Sequence, residues 1–245
     1  MIEKLLNEID KNVIGDPKYF YNGNQVPRVT EILSSMLHED YLMTWANNIG
    51  LYQRQKYSEV IDKAANIGTL SHDLVEQYIS FEENRIDSIN IDDYSVYKAV
   101  NNCVKSFEIW YNDVRQCCSS FNVIGMEETI TCPYFGGTYD FLVEINGRNW
   151  LIDFKTSNHI GYKYALQIAA YKYMIENTKN ITIDGGIILQ LSKKRPEFHE
   201  YVFDFSNENE KKFIDDCLQC FFSIVYSYFW RVKIENEFKT IIGGN

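Results

Sequence analysis

Apolar and polar positions along this chain change period once, near Phe121. Before that point they recur at helical spacing: Leu70, Leu74, Val75, Tyr78 and Ile79 form one stripe within residues 56–80, and Tyr97, Val100, Val104, Phe107 and Tyr111 form another within 94–114. Thr30 opens a further helix reaching about Leu37, and helical character resumes over 41–51. A short helix and a Tyr/Asn-rich loop are expected in 1–26, and the polar stretch 81–92 reads as a loop. Beyond Phe121, residues 123–131, 137–145 and 149–155 read as three antiparallel strands. Residues 162–177 return to an amphipathic helix, 181–191 to a strand containing Gly185-Gly186, 198–205 to an edge strand and 208–234 to a long closing helix. The expected architecture is α/β, a mixed central sheet flanked by helices, preceded by an N-terminal helical region. The division falls between a helical region, 1–118, and a sheet-bearing core with its C-terminal helix, 119–245, the two integrated as one domain.

The sharpest local signal is Asn146-Gly147 between two apolar-rich runs, which predicts a two-residue type I′ hairpin turn. If Ile145 and Arg148 close that turn, Val143 faces Trp150, Phe141 faces Ile152 and Asp140 faces Asp153. Side chains alternate across a strand, so Asp140, Asp153 and Lys155 point to one face. Opposed carboxylates at about 4.5–5.5 Å between Cβ atoms destabilise a sheet. A cation between them removes that penalty, and oxygen ligands of this kind suit a hard divalent ion, Mg²⁺ or Mn²⁺. The hairpin therefore predicts a metal centre.

Composition narrows the picture. The chain has 245 residues, enough for one sizeable core, and only 4 Pro and 13 Gly, which argues against long linkers. No run is apolar enough to span a membrane and Met1-Ile2-Glu3-Lys4 is not laid out as an export signal, so an intracellular, cytoplasmic protein with no membrane partner is expected. A net charge of -10 counts against a protein that coats nucleic acid nonspecifically. Acidic residues gather in 82–93, whereas Lys155, His159, Lys163, Lys172 and Lys193-Lys194-Arg195 gather near the predicted hairpin, so a locally positive cleft is expected. Six cysteines do not form a secreted disulfide pattern, and Cys217 and Cys220 are expected to pack along the closing helix. No phosphate-cradling G-x-x-x-x-G-K-[ST] loop occurs in the sequence, which excludes a P-loop motor.

Four segments in order carry a family resemblance. Asp140 followed by the hairpin and Asp153-Phe154-Lys155 resembles the PD-(D/E)XK nuclease signature, with Asp in place of the middle acid. Gln167-Ile168-Ala169-Ala170-Tyr171 resembles the Q-x-x-x-Y helix of the RecB-like exonuclease branch, and Gly68-Thr69-Leu70-Ser71-His72-Asp73-Leu74-Val75-Glu76 its G-T-x-x-H-x-x-x-E helix. Pro27-Arg28-Val29-Thr30-Glu31-Ile32-Leu33 is similar to the opening segment of phage and mitochondrial genome-maintenance exonucleases. Together they span about residues 27–173. The resemblance implies a restriction-endonuclease-like core and Mg²⁺- or Mn²⁺-dependent DNA hydrolysis. Some relatives hold an iron–sulfur cluster with one early and three late cysteines. Here no cysteine precedes Cys103 and none follows Cys220, which counts against a cluster.

The resemblance also implies roles. Asp140, Asp153 and Lys155 are the expected catalytic residues, and His72, Asp140, Asp153 and the carbonyl of Phe154 the expected metal ligands. Lys155 would orient the attacking water, or neutralise charge on phosphorus, while its blander reading is a salt bridge to Asp153. Gln167 and Tyr171 would contact the substrate phosphate, or else pack in the core. Thr30 would bind phosphate, or only cap its helix, and Ser157 would line the cleft. Glu76 and Glu128 would support the ligands from behind, or serve as structural residues, with a second metal site as a further role for Glu128. The reaction expected is phosphodiester hydrolysis at DNA ends, single- or double-stranded, by a phage or bacterial exonuclease of recombination, repair or replication, with a partner protein from those processes. Two alternatives stay open: a structure-specific endonuclease on the same core, and a catalytically silent scaffold that binds DNA or protein.

Overall fold

A computed structural model describes residues 19–37, 46–89 and 98–243. The short helix expected near the N-terminus lies outside the described residues, as do parts of the helices expected over 41–51 and 94–114. The described chain opens with a small hairpin, β1 (Tyr19–Tyr21) and β2 (Asn24–Val26), followed by α1 (Val29–Met36), α2 (Tyr57–Glu82) and α3 (Lys98–Cys117). A five-stranded sheet follows from β3 (Phe121–Thr131), β4 (Gly136–Ile145), β5 (Arg148–Lys155), β6 (Gly185–Leu191) and β7 (Phe198–Asp204). Helix α4 (Tyr162–Lys179) connects β5 to β6, and α5 (Glu208–Ile241) closes the described fold. Strand order is β3-β4-β5-β6-β7, antiparallel except for the β5–β6 pair. This is the mixed α/β sheet flanked by helices that the sequence predicts. Among the described residues no helix is long and apolar enough to cross a membrane.

Asn146-Gly147 behaves as read. Both residues have positive φ, +53° and +75°, as a type I′ turn requires, and Ile145 pairs with Arg148, Val143 with Trp150 and Phe141 with Ile152. The same signal at Asn22-Gly23, φ +48° and +81°, folds part of the expected N-terminal loop into the β1–β2 hairpin.

Strand alternation sends two apolar sets to opposite sides of the sheet. Phe141, Val143, Ile152 and Phe154 pack with Phe107, Trp110 and Tyr111 of α3, where Phe107 meets Phe154 edge-on at 5.2 Å. Such aromatic pairs contribute about 0.5–1.5 kcal/mol beyond area burial. Leu142, Leu151 and Ile188 pack with α4, which is itself covered by α5. That double coverage explains why α4 is not the amphipathic helix expected: residues 165–171 are buried without interruption.

Three further expectations are corrected. The strand expected from 181 begins only at Gly185, because Asp184 and Asn149 exchange hydrogen bonds that end the crossover there (Asp184 N to Asn149 O, 2.8 Å; Asn149 N to Asp184 Oδ2, 2.8 Å). Helix α1 starts at Val29 with Arg28 in the N-cap position, so exposed Thr30 is not the cap. Arg28 is held extended by a bridge to Gly136, which fixes the cap two residues before Thr30. On α5, Cys217 joins the buried stripe of Ile214, Phe221 and Val225, while Cys220 has rotated off it into solvent.

Candidate metal centre

The centre forms where β4 and β5 run past their last paired residues, Phe141 and Ile152. Asp140 and Asp153 come next on each strand, and alternation from Leu142 and Leu151 carries them to the face covered by α4. Both are buried, Asp153 at 2 % exposure. Asp140 Oδ2 accepts the backbone N–H of Phe154 at 2.6 Å. Lys155 Nζ lies 2.6 Å from Asp153 Oδ2 and 5.1 Å over the ring of Tyr164. Lys155 is the close cationic partner of Asp153, which accepts no backbone or hydroxyl hydrogen bond among the described residues.

Helix α2 brings His72 across the strand ends. Its Nε2 lies 3.1 Å from the carbonyl oxygen of Phe154. A carbonyl only accepts, so Nε2 carries the proton and Nδ1 faces the acids, 3.5 Å from Glu127 Oε1 and 3.7 Å from Asp140 Oδ1. One ligand atom each from His72, Glu127 and Asp140 fall within 4.8 Å of one another.

Glu127, rather than Glu128, is the acid of β3 that reaches this centre. Glu127 has φ +46°, a left-handed conformation that is uncommon for a non-glycine residue and concentrates at functional sites. Glu128 instead pairs with Lys179, which outweighs burial and holds its carboxyl below the usual range. A sequence signal for Glu127 existed. Cys132–Phe135 closes a four-residue turn that pairs Thr131 with Gly136, Thr129 with Thr138 and Glu128 with Tyr139, and one step further sets Glu127 against Asp140.

The electrostatics are those of a site short of positive charge. Burial pushes the Asp153 carboxyl up to about 6, and the neighbouring Asp140 adds to this against the opposing pull of Lys155. Burial also raises Asp140, opposed by His72 and Lys155. For His72, burial works downward, but Asp140 and the Glu127 contact prevail and raise it to about 8. Lys155 is raised as well, because Asp153 and Asp140 overcome the cost of its burial. Two carboxylates and an imidazole within reach of one another, beside the buried Asp153–Lys155 pair, fit a hard or borderline divalent cation.

The remaining expected residues fall in three places. Gln167 and Tyr171 stand one turn apart on α4 and are both buried. Burial first, then the charges of Asp140 and Asp153, lift the Tyr171 hydroxyl well above its usual value. Glu76, one turn along α2 from His72, is raised by burial and by the charges of Glu127 and Asp73. Ser157 lines a cleft of about 560 Å³ together with His72, Lys155 and the backbone-side residue Phe154, while its hydroxyl donates to His159 O at 2.9 Å. Exposed Thr30 makes no capping bond. Tyr164, whose ring lies beneath Lys155, escaped notice in the sequence because one aromatic in an aromatic-rich chain carries no mark.

No family model matches the sequence, and no curated protein matches it. Among solved structures the chain is similar to a proposed exonuclease from Eubacterium rectale, at 16% identity and a TM-score of 0.39, over 67% of this chain and 68% of that one. It is also similar to the protein SSO0001, at 13% identity and a TM-score of 0.27, over 62% and 74%. Likenesses this distant carry no functional weight, so the reading rests on the residues of the centre themselves: a candidate acidic metal site in a mixed α/β fold.

Proposed function

We propose that this chain is a divalent-metal-dependent nuclease that hydrolyses DNA phosphodiester bonds, and that it acts as an exonuclease on linear ends, in recombination, repair or replication. The observation that carries this is the convergence of His72, Glu127 and Asp140 within 4.8 Å beside the buried Asp153–Lys155 pair. His72 Nδ1, Glu127 and Asp140 would hold Mg²⁺ or Mn²⁺, with Asp153, paired to Lys155, beside them. Bound there, the cation supplies positive charge to a phosphoryl oxygen and acidifies a water.

The protein's own groups do the rest. Phe154 O keeps a proton on Nε2 of His72, so that a cation displacing the Nδ1 proton would meet a lone pair aimed at the acids. Asp153 and Asp140 keep Lys155 protonated despite its burial. The Lys155 ammonium then orients the attacking water and neutralises charge developing on the phosphoryl oxygens. The Phe154 N–H holds one oxygen of Asp140 and leaves the other facing His72.

End-labelled linear and closed-circular DNA, incubated with Mg²⁺, Mn²⁺ or EDTA, test the reading with wild type, Asp140→Asn and Asp153→Asn. Metal-dependent loss of label from linear DNA alone, absent in both variants, is the expected result. Cleavage of circles would convert the reading to an endonuclease. Equal inertness of all three proteins on every substrate would reject nuclease activity.

A further inference from the structure

The cavity of about 560 Å³ beside the metal centre runs from Ala64 and Gly68 of α2 to the turn joining β6 and β7. Lys155 and Lys193 both line it, and no carboxylate does so among the described residues. In a chain of net charge -10, such a wall is a local reversal of sign. Its size falls within the roughly 300–1,000 Å³ usual for small-ligand pockets, which accommodates one nucleotide.

Lys193 is placed with care. Helix α3 interrupts its apolar stripe with two buried polar residues, Asn102 and Ser106, and both are spent on the β6–β7 turn. Asn102 Nδ2 donates to Lys193 O at 2.9 Å, and Ser106 Oγ accepts the N–H of Glu197 at 2.9 Å. The half-buried Lys193 ammonium has no carboxylate within ion-pair distance among the described residues, and burial lowers its pKa. A half-buried cation without a counter-charge has lost part of its hydration, and a bound anion compensates that loss. Lys155 on the same wall already has Asp153. Lys193 is left for an anion that arrives with the substrate.

We propose that Lys193 binds the phosphate adjoining the scissile one on a single-stranded DNA end drawn into this cavity. The inference rests on the nuclease reading above and adds substrate form and a substrate-binding residue to it. A cavity that takes one nucleotide requires the end to be unpaired. Contact through phosphate predicts binding indifferent to base sequence.

The test uses the full chain, fluorescein-labelled single-stranded 12-mers and EDTA, with binding followed by anisotropy across a salt series. Lys193→Ala is expected to weaken binding several-fold for every sequence and to reduce the log–log salt slope by about 0.7, the value for one lost phosphate contact on a single strand. Lys193→Arg should restore both. In the metal-loaded enzyme, a neutral methylphosphonate placed next to the scissile bond should raise KM for wild type and add nothing to the loss in Lys193→Ala. An unchanged salt slope in Lys193→Ala, full additivity with the methylphosphonate, or a lowered melting temperature without a binding defect overturns the assignment. A wild type that cuts DNA while Lys193→Ala binds normally rejects this inference alone. A wild type that neither binds nor cuts rejects the nuclease reading with it.

Discussion

Strand β5 carries an acid–base pair at each end, and the two are built in opposite ways. At its start Arg148 grips Asp204 through two guanidinium nitrogens, at 3.1 and 2.5 Å, donates to Asp184 O and stacks over Trp150 at 4.9 Å. Ser206 adds donors from N and Oγ to Asp204, at 2.8 and 2.7 Å. Every charge is answered, the site is half open to water, and Arg148 holds the Asp204 carboxyl well below its usual range. At its end Asp153 and Lys155 are buried, Asp153 has the Lys155 ammonium but no backbone or hydroxyl donor among the described residues, a second acid stands near, and the carboxyl is pushed up to about 6. The same residue classes make a finished structural tie in one place and an unfinished site in the other. Satisfaction by donors, rather than the mere presence of an ion pair, separates them.

The largest test of that contrast is a change of opposite sign in two quantities. Asp140→Asn should reduce nuclease turnover by about 10³-fold or more. In EDTA the same change should raise unfolding stability by about 1–2 kcal/mol, because it removes one of two repelling buried charges. A variant that loses activity and stability together would make the cluster a structural one.

Metal should complete the unfinished end only. Titrating Mg²⁺ or Mn²⁺ into the wild type should raise the melting temperature, by an amount equivalent to about 2.7 kcal/mol at a hundredfold excess over Kd. Glu127→Ala and His72→Ala should abolish most of that gain, and Glu128→Ala should keep it. Retention in Glu127→Ala would return the role to another acid.

The two ends should also respond oppositely to pH. Asp153 titrates higher folded than unfolded, so metal-free stability should fall as pH rises from about 4 to about 6. His72 is also raised, so its contribution is complete below about 6.5 and lost as pH rises through about 8. Asp204 is lowered, so its contribution is present above about 4 and lost as pH falls further. Thermal melts in EDTA should therefore flatten between pH 4 and 6 in Asp153→Asn. The deficit of Arg148→Ala should shrink below pH 4.

The smallest effects are expected at the satisfied pairs. Arg148→Ala should cost about 1 kcal/mol in chemical denaturation with turnover intact, and Glu128→Ala less than that, as befits partly exposed pairs. A loss of turnover in either would erase the distinction between the two ends.

Much of this was legible in the sequence for identifiable reasons. Asn146-Gly147 admits few backbones, so the β4–β5 register followed from two residues, and with it the placement of Asp140 and Asp153 on one face. Glu127 is harder to read, because Cys132–Phe135 carries no Asn-Gly signal to announce the β3–β4 register, and because a left-handed backbone at a glutamate leaves no mark in composition. The α1 start was misplaced because a bridge from Arg28 to Gly136, distant in sequence, outweighs the capping preference of Thr30. The uninterrupted burial of α4 was invisible because the chain pattern does not say that a helix has two covering layers.

The sequence by itself determined the period of each element, the hairpin registers and the face on which the β4 and β5 acids stand, because these are local consequences of backbone geometry. Only the tertiary structure decided which groups meet. It brought His72 from α2 to Glu127 and Asp140, left Lys193 without a carboxylate among the described residues, and set how deeply each charge is buried. Distance and desolvation govern what charged groups do, and both are properties of the packed molecule.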